Sequence, residues 1–233
     1  FTYTIDNALN QPSTGTVTIT VKDRVMVVAS GATGNCKPAT PCAMSTADAA
    51  TAPTGKDLVF VQSGNYSNPN AAIALNANQM LVGNTVSLAT AIGDAGITLA
   101  PESVTLATIA ASTAPSLSNS ASVITLGGGN LVEYFAITNS AGAAIAGTSA
   151  GSGTSNIHDI AINNTSGNGV NLTVNLGTLN FSNLTVATTA GGAFAATGGG
   201  TINVTTGSIP NTLAATTGTA LNVTNTTICA SGF

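Results

Sequence analysis

Residues able to do chemistry are scarce in this 233-residue chain. It holds four Lys or Arg, eight Asp or Glu and one His. Charged residues make up 5% of it, where ordinary globular proteins carry about 25%. The basic residues are Lys22, Arg24, Lys37 and Lys56, and beyond Asp57 the acids are Asp94, Glu102, Glu133 and Asp159. One constellation deserves weighing: Glu133, His158 and Asp159. Glycosidic cleavage on paired carboxylates needs one acid to protonate the leaving oxygen and another to activate water. A single carboxylate–imidazole pair, with no Lys or Arg nearby, lacks those parts. A solvated polar pair on the surface is the plainer reading, and no catalysis, cofactor or metal site is expected.

Cysteine offers a second kind of chemistry. Cys36 and Cys42 bracket Lys-Pro-Ala-Thr-Pro, a spacing that closes a small loop as a disulfide in an oxidising compartment. The rival is a zinc site, for which no second Cys pair or His lies near. Cys229 is left over.

What must position these residues is a repeat. Val132, Phe135 and Ile137 form an apolar triplet with spacing three then two. Ile157, Ile160 and Ile162 repeat it 25 residues on, and Phe181, Leu184 and Val186 repeat it after a further 24. Each triplet is followed by a glycine (Gly142, Gly167, Gly191) and then by Ile145, Val170 or Phe194. Weaker echoes are expected at Val204/Ile209 and Val223/Ile228. A period in the twenties, rich in Gly and β-branched residues, predicts an all-β right-handed parallel β-helix in which every coil feeds stacked parallel sheets. The glycines are expected to serve sharp corners. Helical repeats are excluded by the Gly and β-branched content, and leucine-rich repeats by the missing leucine consensus. An antiparallel sandwich stays open as the alternative, because periodicity does not give strand direction. Glu133 and His158 hold the same place in successive repeats. They should therefore lie on neighbouring coils about 4.8 Å apart, pointing outward, with Asp159 turned away unless the chain bends there.

Two other stretches carry resemblances. Ser45–Ala52 reads as a short helical piece, followed by Gly55-Lys-Asp, the strand Leu58-Val-Phe-Val61 and Gly64-Asn-Tyr66. This resembles the start of pectin-lyase-like β-helices, where a capping helix leads into the first buried strand. Near the N-terminus, a polar turn with Pro12 and Gly15 is followed by a strictly alternating run: Thr16, Val17, Thr18, Ile19, Thr20 and Val21. It resembles the closing strand of bacterial immunoglobulin-like repeats. The expected division is therefore residues 1–22 as a strand pair and 23–233 as the β-helix.

Function is expected to be non-catalytic: an extracellular structural or adhesive module of a bacterial surface or fibre-forming protein. One alternative is a filament subunit that exchanges residues 1–22 with its neighbour. The other is a polysaccharide-binding or polysaccharide-degrading β-helix. Partners would be further copies, neighbouring domains of the same protein or a surface glycan. A net charge of −4 argues against nucleic acid, which selects clustered Lys and Arg. No run of about 18 apolar residues suggests membrane insertion. The low charge is made up by 38 Thr, 20 Ser and 24 Asn, whose short polar side chains keep a surface wet and can satisfy corner backbone groups.

Overall fold

A computed structural model describes residues 2–6, 12–16, 23–50, 56–67, 73–99, 107–119, 121–147, 153–174 and 177–229, the first two segments as backbone alone. β1 (Thr2–Asp6) and β2 (Pro12–Thr16) form an antiparallel hairpin with Thr2 opposite Thr16. The sequence placed this second strand later and put Pro12 and Gly15 in the turn. Instead Pro12 opens the strand, the position where a missing N–H is tolerated. Residues 17–21 lie outside the described residues.

The remainder is a right-handed parallel β-solenoid of about six turns. The first turns contain β3 (Arg24–Val28), helix α1 (Met44–Asp48), β4 (Asp57–Val61), β5 (Asn65–Tyr66), β6 (Ile73–Ala74) and β7 (Gln79–Gly83). Helix α2 (Leu88–Asp94), β8 (Ser116–Leu117) and β9 (Ile124–Thr125) follow. The regular coils use β10 (Leu131–Thr138), β11 (Ile145–Gly147), β12 (Thr154–Thr165), β13 (Val170–Leu172), β14 (Thr178–Thr188) and β15 (Phe194–Ala196). The last strands are β16 (Thr201–Thr205), β17 (Thr212–Ala215), β18 (Leu221–Val223) and β19 (Thr227–Ile228). One sheet stacks β3, β4, β7, β10, β12, β14, β16 and β19 in that order; the other stacks β6, β9, β11, β13, β15 and β18. Every pairing in both is parallel, which removes the sandwich alternative.

The apolar triplets are the inward rows. Val132, Ile157, Phe181 and Val204 stack in register, as do Phe135, Ile160 and Leu184. Facing them, Ile73, Ile124, Ile145, Val170, Phe194 and Leu221 stack through the second sheet. All but the end residues of these rows are buried, each contributing about 1.5–3 kcal/mol of transfer free energy. The spacing of three then two now has a cause. Tyr134, Asp159 and Asn183 sit at φ +67°, +55° and +50°. This single left-handed residue bends each long strand and restores the next side chain to the inward face.

The glycines of the repeat have a different role from the expected one. A Cβ on Gly167 would meet the backbone of Gly142, one on Gly191 that of Gly167, and one on Gly218 that of Gly191. They form a column of close coil-to-coil contact, while Asn139 and Asn164 (φ +53° and +54°) take the left-handed corners. Asn tolerates that conformation because its amide bonds locally.

The two ends differ. At the first, Cys36 and Cys42 form a disulfide with Cα atoms 4.4 Å apart. Val27 N–H donates to Cys36 O, Cys42 N–H to Val27 O and Ala29 N–H to Cys42 O, so the outer edge of β3 is covered. Met44 and Ala47 of α1 plug the core above it, the capping helix expected from sequence. At the other end Leu221 and Ile228 are substantially exposed. Ile209, expected to continue the inward pattern, is 50% exposed. The row of Val186 continues to Leu213 instead, because Ser208–Pro210 loops outward between β16 and β17.

Helix α2 was not foreseen. Ser87 caps it by accepting from Thr90 N–H at 3.1 Å. Its Leu88, Ala91 and Ile92 cover the outward side chains Val27, Leu58, Phe60 and Val82, a second core outside the solenoid. Among the described residues, no helix is long and apolar enough to cross a membrane.

Candidate functional site

The outward face of the large sheet changes character along the stack. One row runs Val27, Phe60, Val82, Glu133, His158, Ser182 and Thr205. Its first three members are roofed by α2, and beyond them the row is polar. The sequence expectation that Glu133 and His158 are register partners on adjacent coils is met. Glu133 shares the outward row, yet it is 1% exposed, because it sits at the rim of the α2-covered zone.

The left-handed turn at Asp159 supplies the bend that alternation alone would forbid. His158 Nε2 lies 2.8 Å from Glu133 Oε2 and its Nδ1 2.8 Å from Asp159 Oδ2. The hydrogen bond to Glu133 raises the imidazole to a pKa of about 9, the bond to Asp159 adds to it, and partial burial opposes both. At neutral pH the ring is thus an imidazolium donating both its protons. Asp159 Oδ1 in turn accepts from Asn183 Nδ2 at 2.8 Å, and Asn183 Oδ1 accepts from Ile209 N–H at 3.1 Å. Tyr134 places its ring edge-on to His158, centroids 5.9 Å apart. Burial, and then the charges of Glu133, Asp159 and Asp94, push its hydroxyl above the ordinary tyrosine range. Glu133 Oε1 is buried with no hydrogen-bond partner.

Two more polar rows flank this one. Thr154, Thr178, Thr201 and Thr227 stack in register. Between them and the His158 row stand Asn156, Asn180 and Asn203. Asn180 Nδ2 donates to Asn156 Oδ1 and Asn203 Nδ2 to Asn180 Oδ1, both at 2.8 Å. The Asn row and the His158 row line two hollows that share Asn156 and His158. One, of about 400 Å³, is bounded by Asp94, Leu131, Glu133 and Tyr134; the other, of about 490 Å³, by Asn180, Ser182, Asn203 and Thr205. Together they make a shallow groove down the side of the solenoid.

Some polar residues that sequence reasoning passed over are structural. Arg24 grips Asp57 with Nε and Nη2, each at 2.8 Å, and Gln79 Nε2 donates to the same carboxylate at 2.9 Å. Asn130 Nδ2 donates to Gln79 O and its Oδ1 accepts from Gly127 and Gly128 N–H. Lys56 Nζ donates to Gly96 O behind α2. The Asn ladder itself was legible as Asn at equivalent repeat positions. Of the proposed exchange strand, Thr16 pairs within its own hairpin, and the rest lies outside the described residues.

No family model, curated protein or solved structure matches this chain.

Proposed function

We propose that this chain is a non-catalytic, extracellular structural and adhesive β-helix of a bacterial surface or fibre-forming protein. The observation that carries the reading is the charge-poor polar groove along the wall of a solenoid sealed at one end. A continuous aliphatic core with parallel sheets on both sides gives a stiff spacer, and the groove gives it something to hold with. The disulfide is compatible with an oxidising compartment. The resemblances to pectin-lyase-like β-helices and to immunoglobulin-like repeats agree with a surface setting. Against catalysis stands the state of His158: both nitrogens are engaged by carboxylates, so no lone pair is free to accept a proton. Beads carrying the protein should stick to polysaccharide-coated glass, and beads carrying Ser182→Lys should not. Equal retention of both would remove the groove from the adhesive role.

The filament reading has an observation of its own. Leu221 and Ile228 are exposed on the last strands of the two parallel sheets, and a sheet edge can accept a donated strand. Electron microscopy of the chain lacking residues 1–22 decides it: loss of polymers supports strand donation, and persisting polymers refute it.

A further inference from the structure

Of the 24 asparagines, Asn168 alone is followed by glycine. That dipeptide is the one most prone to spontaneous deamidation, because glycine has no Cβ to obstruct ring closure. In the reaction the nitrogen of Gly169 bonds to Asn168 Cγ and the Cγ–Nδ2 bond breaks. The proton of the attacking nitrogen leaves with the amide group as ammonia. Water then opens the five-membered imide at either carbonyl. One product is an aspartate in ordinary linkage; in the other the backbone runs through the side-chain carbons.

In the folded chain both reacting groups are held. Gly169, which leads into β13, is buried, and its N–H donates to Gly192 O at 2.9 Å. Gly192 N–H in turn donates to Asn168 Oδ1 at 2.8 Å. One residue of the next coil thus grips both the attacking nitrogen and the target amide. From the preceding coil, Ala144 N–H donates to Asn168 O and Ile145 N–H to Gly169 O, each at 2.9 Å. Ring closure needs the peptide to rotate until the nitrogen meets Cγ, and that rotation breaks these bonds. Packing opposes it as well. A Cβ on Gly169 would meet Val186 and the backbone of Ala193, and one on Gly191 would meet the backbone nitrogen of Asn168. The reaction therefore runs from a state in which the coils have parted locally. The β-linked product inserts one extra atom into the backbone just ahead of Val170, which is buried and stacked between Ile145 and Phe194. A strand lengthened there loses register with both neighbours.

We infer that Asn168 is a deamidation site gated by the stacking of its coil on the next, and that the β-linked product keeps the two coils from closing again. The inference is independent of the adhesive and filament readings. Mass spectrometry of the chymotryptic peptide holding Asn168, sampled over weeks at pH 8, tests it. Deamidation should be at least about tenfold slower in the folded chain than in the same chain kept in urea, because only the open fraction reacts. Gly167→Ala crowds the same corner against Gly142. It should raise the folded-state rate about fivefold or more and leave the rate in urea little changed. Should that variant fail to fold, urea added to the parent below its unfolding transition takes its place and should accelerate the reaction. Purified β-linked chain should unfold at a lower temperature than the parent, whereas Asn168→Asp, whose carboxylate still accepts from Gly192 N–H, should stay near it. Equal rates in the folded and unfolded chain, a folded rate indifferent to loosening, or a β-linked chain as stable as the parent overturns the inference.

Discussion

His158 is the residue whose surroundings carry the sharpest consequence. Its folded-state pKa of about 9 lies above the ordinary 6.5, so the folded chain holds the proton more tightly than the unfolded one. The stabilisation is therefore complete below pH 6.5 and is lost as pH rises through about 9. The ring is only partly buried, so solvent discounts the effect to the order of 1–2 kcal/mol. Urea unfolding at pH 6 and pH 9.5 should show that loss in the parent chain, and His158→Gln should flatten it. An equal slope in both would mean that the bridge to Glu133 and Asp159 is not formed. The pairing of residues 133 and 158 was legible because two triplets 25 residues apart keep phase. The third member was legible only on condition that the chain bends at that point. Asp159 joins only because it occupies a left-handed bend, and the sequence shows that bend merely as a spacing of three where strands need two.

At the scale of elements, the repeat was readable wherever one residue type recurs at one place in successive coils. The inward Ile and Phe rows, the capping helix α1 and the Cys36–Cys42 loop follow directly. The glycine column was visible, but its reason was not: close stacking of one coil on the next leaves no room for a Cβ, whatever φ the residue adopts. Gly167→Ala should therefore cost about 1–3 kcal/mol through overpacking against Gly142. Gly167 lies outside the left-handed region, so without the close coil contact the substitution would be neutral or slightly stabilising. Thermal unfolding of Gly167→Ala beside the parent separates the two. Helix α2 escaped notice because it is only seven residues long and carries Gly93, a helix-weakening residue, near its end. Ser87 followed by Leu88, Ala91, Ile92 and Ala95 was the available signal, a cap and an apolar stripe at helical spacing. Ile209 misled for the opposite reason, since its residue type matched a pattern whose phase the loop at Pro210 had already broken.

Among the described residues, the molecule is a stack capped at its first coils, with Leu221 and Ile228 exposed on its last strands and a polar groove along one wall. The seal needs Arg24, Asp57 and the disulfide, which is why much of the chain's small stock of charge sits in the first coils. Along the groove, charge is confined to Asp94, Glu133, His158 and Asp159, and the later coils carry Asn, Ser and Thr instead. Composition showed that Asn, Ser and Thr keep the surface wet without showing where, because only the coil register brings Asn156, Asn180 and Asn203 into one row. The central claim is that this wall holds polysaccharide and does not cut it. Incubating the protein with mixed-linkage β-glucan, xylan and galactomannan, and counting new reducing ends over a day, tests that claim most directly. The predicted result is no increase over buffer, with the protein still bound. New chain ends that accumulate with the parent and vanish with Glu133→Gln would contradict it.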